Sequence, residues 1–417
     1  IKEISMGKYL VINMVRGVVK WFLPFYLFTF LPLSVSAQKF GIPDMKFRRL
    51  DTRDGLANQQ VNCIIRDRKG FMWMATPFGL CRYDGYRFRN FYSYEHDTLT
   101  MRSNRVDEVQ EDYDGKLWLN HGMNYSVLDP LTEKVTRSPA ALLAEMGMPG
   151  GLEYIYIDSE KKYWVKSYDN GFYCYDPRSK HVTKIPFGYE TGAFPKDFAI
   201  TSCAENEDGT LLLVSNMGQL LCVDGKAGAV KWKDDYVQKA QNSSFSNYRL
   251  YRDKPNDMTW IICNSSALYV CKNKEKRWFH TLADFMRAEG FQNVPDDIVV
   301  WDVGYDGKGY FWVATDHMGA LVLDFKTKTW RQFLNVKNDD SSLPESTLRK
   351  FYLDQLGRMW VSTYKSGVAM NADALANFNN LPLGDINAIT QYYNRVKNNK
   401  SYRQQRKLQT LTTTVLL

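Results

Sequence analysis

Carboxylates, imidazoles and thiols are the side chains of this 417-residue sequence with chemistry to offer, and their spacing says which chemistry. Asp67, Asp112, Asp158, Asp306 and Asp354 each stand six residues ahead of an indole. A lone carboxylate in a cleft could serve as a general acid or base. Recurrence argues for another role, because one active site needs one or two such groups whereas a repeated turn needs the same Asp every time. The five His (His96, His121, His181, His280 and His317) are dispersed, and no HExxH, GxSxG or P-loop pattern occurs. Seven Cys (Cys63, Cys81, Cys174, Cys203, Cys222, Cys263 and Cys271) are scattered without a CxxC pair, which fits neither a disulfide scaffold nor a zinc ribbon. Cys174, Cys222 and Cys271 recur at equivalent points, as small core thiols do. The expectation is a chain with no catalytic residue, no metal site and no cofactor.

The Asp residues belong to a repeat. Its clearest form, D-x-x-G-x-x-W, occurs as Asp67/Gly70/Trp73, Asp112/Gly115/Trp118, Asp306/Gly309/Trp312 and Asp354/Gly357/Trp360. Asp158/Lys161/Trp164, Asn206/Gly209/Leu212 and Lys254/Asp257/Trp260 read as decayed copies. The anchors Trp73, Trp118, Trp164, Leu212, Trp260, Trp312 and Trp360 are spaced 45, 46, 48, 48, 52 and 48 residues apart. Three residues past each anchor lies Thr76, Ser167, Ser215, Cys263, Thr315 or Thr363, with His121 the exception. A turn Gly follows in five copies, at Gly79, Gly171, Gly218, Gly319 and Gly367. Each unit then carries four short apolar or aromatic runs separated by three turn signals.

Four-stranded units of about 48 residues, repeated, predict an all-β fold: a seven-bladed β-propeller of antiparallel blades. Asp and Gly supply the turns. The anchor indole fills the wedge between blades, where a large flat side chain buries most area. Lys46–Leu50 resembles a last strand but precedes the first unit, so it is expected to complete the seventh blade and shut the ring. Helical spacing appears at Ala140 to Met146 and at Leu282, Phe285 and Met286, between one unit and the next. Those connections share a face, here termed upper, with the turns that follow the anchor strands.

An enzyme reading finds no site, so ligand recognition is the function class left. Aromatic faces beside polar groups suit sugars, and a propeller's central mouth is concave. The candidates are Arg105, Tyr154, Arg249, Trp301 and Arg349 from the leading strands. His121, Tyr168, Asp169, Asp316, His317, Tyr364 and Lys365 come from the turns after the anchors.

Composition agrees with a folded β domain: 44% hydrophobic, 24% charged and 14% aromatic residues. The net charge of +8 sits at the ends, with +3 in residues 1–37 and +6 in residues 390–417, so the 352 residues between carry −1. A nucleic-acid-tracking surface is therefore not expected. From Met14, the basic Arg16 and Lys20 precede an apolar run from Trp21 to Leu33 and then Val35-Ser36-Ala37, the order of a cleaved secretory signal. No Cys follows before Cys63, which speaks against a lipid anchor. The expected organisation is a signal peptide over 1–37, a propeller over 38–383 and a truncated or divergent basic tail over 384–417.

The stretch Gly70 to Gly85, GFMWMATPFGLCRYDG, together with Asp54 to Val61, DGLANQQV, resembles the two-component regulator propeller repeat. The likeness covers about residues 45–383 and weakens in the middle copies. It implies a non-catalytic periplasmic sensor of a hybrid two-component system that recognises glycan fragments and regulates polysaccharide use. It further implies a second propeller, a membrane helix and histidine kinase domains continuing the same polypeptide, a homodimer of the intact protein, and an inner-membrane anchor. The alternatives are a stand-alone exported propeller serving as an interaction scaffold, or a propeller glycoside hydrolase or lyase. The Asp-box of sialidase propellers differs from this repeat, having one residue between Asp and Gly.

Overall fold

The computed structural model describes residues 41–168, 171–186, 198–242, 245–263 and 267–371. The expected signal peptide, the tail from 384 and the candidate Asp169 lie outside them. The chain divides into two compact units, Ile1–Pro43 and Asp44–Leu417, and every element described here belongs to the second.

Seven four-stranded antiparallel sheets follow one another along the chain. The first blade is Cys63–Arg66, Met72–Thr76, Gly79–Tyr83 and Phe88–Phe91; the second is Glu108–Glu111, Leu117–Asn120, Tyr125–Leu128 and Val135–Thr136. The third is Leu152–Ile157, Tyr163–Ser167, Phe172–Asp176 and His181–Ile185; the fourth is Ile200–Glu205, Leu211–Ser215, Leu220–Asp224 and Ala229–Asp234. The fifth is Tyr248–Asp253, Met258–Cys263, Leu268–Lys272 and Arg277–Phe279; the sixth is Val300–Tyr305, Phe311–Thr315, Ala320–Asp324 and Thr329–Phe333. The seventh joins Leu348–Leu353, Met359–Thr363 and Val368–Asn371 to Phe47–Leu50 from the other end of the chain, with Phe47 opposite Asn371 and Leu50 opposite Val368. This is the expected closure. Helices occur at Ala140–Glu145 and Leu282–Ala288 as anticipated, and also at Tyr236–Ala240, which the sequence reading did not foresee.

The repeat motif is a hydrogen-bonded device. The Asp67 Oδ1 accepts the backbone N–H groups of Lys69 and Phe71 at 2.9 Å each, while Oδ2 accepts the Trp73 indole N–H at 2.8 Å. One carboxylate thus closes the turn and satisfies the one polar atom of a fully buried indole, which would otherwise be expensive to desolvate. Asp112, Asp158, Asp306 and Asp354 cap Trp118, Trp164, Trp312 and Trp360 in the same way, at 2.9, 2.9, 3.4 and 2.9 Å. The turn-forming role expected of Asp is therefore half of its work. The motif Gly has a left-handed backbone (φ 94° at Gly70, 116° at Gly309), and Lys161 adopts it without being Gly, at 67°. Burial raises the pKa of Asp112 and Asp158. At Asp354 burial works the same way, but bonds from Trp360, the Arg358 backbone and the Arg358 guanidinium outweigh it and hold the carboxyl below its usual value.

The fifth blade departs from the aligned pattern for a traceable reason. Its leading strand runs in unbroken register from Tyr248 opposite Cys263 to Asp253 opposite Met258. The third, fourth, sixth and seventh blades instead carry a bulge near the start of that strand. That register sets Trp260 opposite Tyr251, nine residues earlier, where Trp73 faces Ile65, eight residues earlier, so Lys254 is not the counterpart of Asp67. The buried acid is Asp253, which bonds to the Asn256 side chain, and the Trp260 indole N–H is left without a partner.

Each indole packs into the next blade. Trp73 lies in one apolar cluster with Val109, Leu117 and Leu119, Trp118 with Ile155 and Tyr163, and Trp164 with Leu211 and Leu213. Burying a side chain of 150–250 Å² stabilises by roughly 4–6 kcal/mol. These inter-blade layers are the core.

Candidate ligand-binding face

Inter-blade connections and post-anchor turns do share one face. Gly79 N–H donates to the Asn104 carbonyl, Tyr168 to Gly151, Asp316 to Val299 and Tyr364 to Thr347, each stitching a turn to the connection entering the next blade or its own. The residue three past each anchor secures the turn from inside: the Thr76, Thr315 and Thr363 hydroxyls donate to the carbonyls of Gly79, Gly319 and Gly367 at 2.7, 2.7 and 2.9 Å.

Counting eleven residues back from each anchor gives Asn62, Asp107, Glu153, Thr201, Arg249, Trp301 and Arg349, one per blade, the first two just ahead of the leading strand and the rest on it. Glu153, Thr201, Trp301 and Arg349 are the extra residues of the bulges, pushed out of the ladder. A bulge re-aims a side chain, and here it does so repeatedly at the same level. The ring is charge-segregated, with Asp107 and Glu153 on one side and Arg249 and Arg349 on the other.

Five sequence candidates converge across the fifth to seventh blades. The Arg349 guanidinium lies 5.2 Å from the Trp301 ring centroid and 5.4 Å from that of Tyr364. Arg249 donates to the Trp301 and Arg349 carbonyls at 3.0 and 3.2 Å and stands 3.8 Å from the Asp302 carboxylate. Lys365 lies 4.9 Å from the Tyr364 ring, so it belongs to the same patch. Burial, with Arg249 adding repulsion, lowers the Arg349 pKa. The Trp301 indole N–H is buried without a hydrogen-bond partner. The arrangement offers aromatic faces, guanidinium donors and an uncommitted N–H in one place.

The other candidates do not join it. His121 is buried between the Arg105 carbonyl (2.6 Å) and the Ser126 hydroxyl (2.7 Å), and burial lowers its pKa, so it is a neutral structural imidazole. Arg105 is exposed and pairs with Asp107 at 2.9 Å. Tyr168 is 58% exposed and donates to the Met123 carbonyl. Asp316 and His317 share the Thr347 hydroxyl at 3.3 and 3.0 Å, a junction of the sixth and seventh blades. Tyr154 packs against the core of the neighbouring blade, and burial raises its pKa well above the usual phenol value.

Sequence reading named Arg105 and Tyr154, which stand thirteen and ten residues before their anchors, and passed over Asp107 and Glu153 at the eleven-residue position. The signal was available: the 45-to-52-residue ladder of the anchors applies equally to the position eleven residues earlier. It also missed Asp302, whose carboxylate accepts the Phe351 N–H at 2.9 Å and whose pKa burial raises, against the pull of Arg249 and Lys350.

Residues 55–78 match the family profile described as two component regulator propeller, and the chain carries that repeat where the sequence suggested it. No curated protein shows significant similarity to the chain. Among solved structures, the extracellular domain described as that of the hybrid two component system BT3049 from B. thetaiotaomicron is similar over 79% of this chain and 42% of its own length. Its TM-score is 0.59 and its identity 19%. The extracellular domain of BT4673 from the same organism, described as a one component system, is similar over 78% of this chain and 40% of its own length, at a TM-score of 0.58 and 18% identity. The chain thus spans about two fifths of those domains. The likeness shows the propeller fold.

Proposed function

We propose that this chain, a propeller with a two component regulator repeat, is a ligand-sensing part of a periplasmic receptor that reports to a histidine kinase, and that glycan fragments are its ligand. The observation that carries the reading is the Arg249–Trp301–Arg349–Tyr364 cluster on the upper face. Indole and phenol faces suit the C–H surface of a sugar ring. Guanidinium groups suit hydroxyl or carboxylate oxygens. The Trp301 N–H is buried with no partner in the protein, so it is free to donate to a ligand acceptor. The structural neighbours, extracellular domains described as those of a hybrid two component and a one component system, support a sensor role.

Such a receptor works by population shift: a ligand moves an equilibrium only as far as its affinities for the two states differ. Arg249 spans the carbonyls of two neighbouring blades, so a ligand that engages Arg349 and Trp301 acts directly on how those blades sit. The chain itself binds without turnover.

Isothermal titration of the full chain with neutral and uronate-containing oligosaccharides tests this. Saturable binding, weakened about tenfold or more by Trp301→Ala and by Arg349→Ala, with unchanged oligosaccharide length on chromatography, is the expected result. Absence of binding across the panel, binding indifferent to both substitutions, or shortening of the chains would overturn it.

A further inference from the structure

Six of the seven blade junctions are filled by an indole meeting a large apolar or aromatic partner. Trp73 packs with Leu117, Trp118 with Tyr163, Trp164 with Leu211, and Trp360 with Met72. Trp260 stacks on Phe311 at 4.7 Å, and Trp312 meets Phe351 at 5.7 Å. Between the fourth and fifth blades both sides shrink: the anchor is Leu212, and the residue facing it from the position before the next anchor is Thr259. Their neighbours on the adjacent strands, Cys222 and Cys271, are small as well.

The missing volume is left open. A groove of about 810 Å³ lies at this junction, with Leu212, Thr259, Cys271, Asn206 and Arg252 in its lining. Aromatic rings line it beside charged Lys233, Asp235 and Lys239: Trp232 is 45% exposed, and Tyr236 and Trp278 stack at 4.9 Å with 7° between their planes. The volume falls in the range of small-molecule sites, about 300–1,000 Å³.

Asn206 stands six residues before Leu212, where Asp67 stands before Trp73. Its Oδ1 accepts the Arg252 Nε–H at 3.2 Å and its Nδ2 donates to the Thr210 hydroxyl at 3.0 Å. An amide oxygen has two lone pairs, so one acceptor position is left over. In the sister blades that position is an Asp oxygen holding an indole N–H.

We infer that this junction is a binding slot for a small planar aromatic molecule carrying an N–H or O–H donor, of the indole or phenol class. The ring lies where the absent indole would, against Leu212 and Thr259, and its donor meets Asn206 Oδ1. The slot is separate from the upper-face cluster and stands whether or not that cluster binds sugars.

The test titrates the full chain with indole and with 1-methylindole, calorimetrically and by thermal unfolding. Expected are saturable one-site binding of indole, a raised Tm, and affinity for 1-methylindole at least fivefold weaker because its nitrogen cannot donate. Leu212→Trp and Thr259→Phe, which fill the slot from either wall, should each weaken indole at least tenfold. No saturable binding, equal affinity for the two probes, or indole affinity unchanged in the filled variants would overturn the inference. The two-probe comparison needs no substituted protein, so it stands even if a filled variant fails to fold.

Discussion

A carboxylate repeated at every turn invites a catalytic reading that geometry replaces with a structural one. The five Asp caps each spend one oxygen on the turn and the other on an indole, so Asp and Trp are chosen together. Trp260 provides the natural contrast, being equally buried with no partner for its N–H. Trp118→Phe should therefore destabilise more than Trp260→Phe, by about 1–2 kcal/mol, because only the former strands a buried carboxylate oxygen. Urea midpoints of the two variants, at unchanged m-value, decide the matter.

At the scale of the blade, turn glycines do two different jobs. Gly209 and Gly367 share a φ of 76°, but a Cβ on Gly209 would meet nothing within 4 Å whereas one on Gly367 would lie 2.3 Å from the Leu50 carbonyl oxygen. Gly209→Ala should cost about 1 kcal/mol, the left-handed backbone penalty alone. Gly367→Ala should cost at least about 2 kcal/mol more, since the closing strand has to move. Equal melting temperatures for the two would contradict the tight approach of the seventh blade to Leu50. The bulges show the same scale at work in the candidate site. Trp301 and Arg349 are the extra residues of the bulges in their strands, whereas Arg249 reaches the same cluster from the fifth blade, whose leading strand runs without one.

For the whole molecule, closure is the dominant constraint. A single blade cannot cover both of its faces, so stability is shared between neighbours. Phe47, from the strand that shuts the ring, packs edge-on against Trp312 and Phe333 at 6.5 and 6.1 Å. Phe47→Ala should cost about 3–5 kcal/mol. It should lower one cooperative melting transition of the entire propeller; two separated transitions in calorimetry would argue that the ends are not clasped.

The blade count, the anchors, the closing strand and every turn but the fifth blade's were legible in the sequence, because each depends on local chemistry repeated at a nearly constant interval. An Asp, a left-handed Gly and an indole at i, i+3 and i+6 constrain one another within a single hairpin, whatever surrounds them. What meets across the axis was not legible. Arg249, Trp301 and Arg349 lie 52 and 48 residues apart, and only the folded ring puts the guanidinium of one against the carbonyls of the others. The groove beside Leu212 likewise needed both walls, for a lost indole becomes a cavity only when the facing blade fails to fill it.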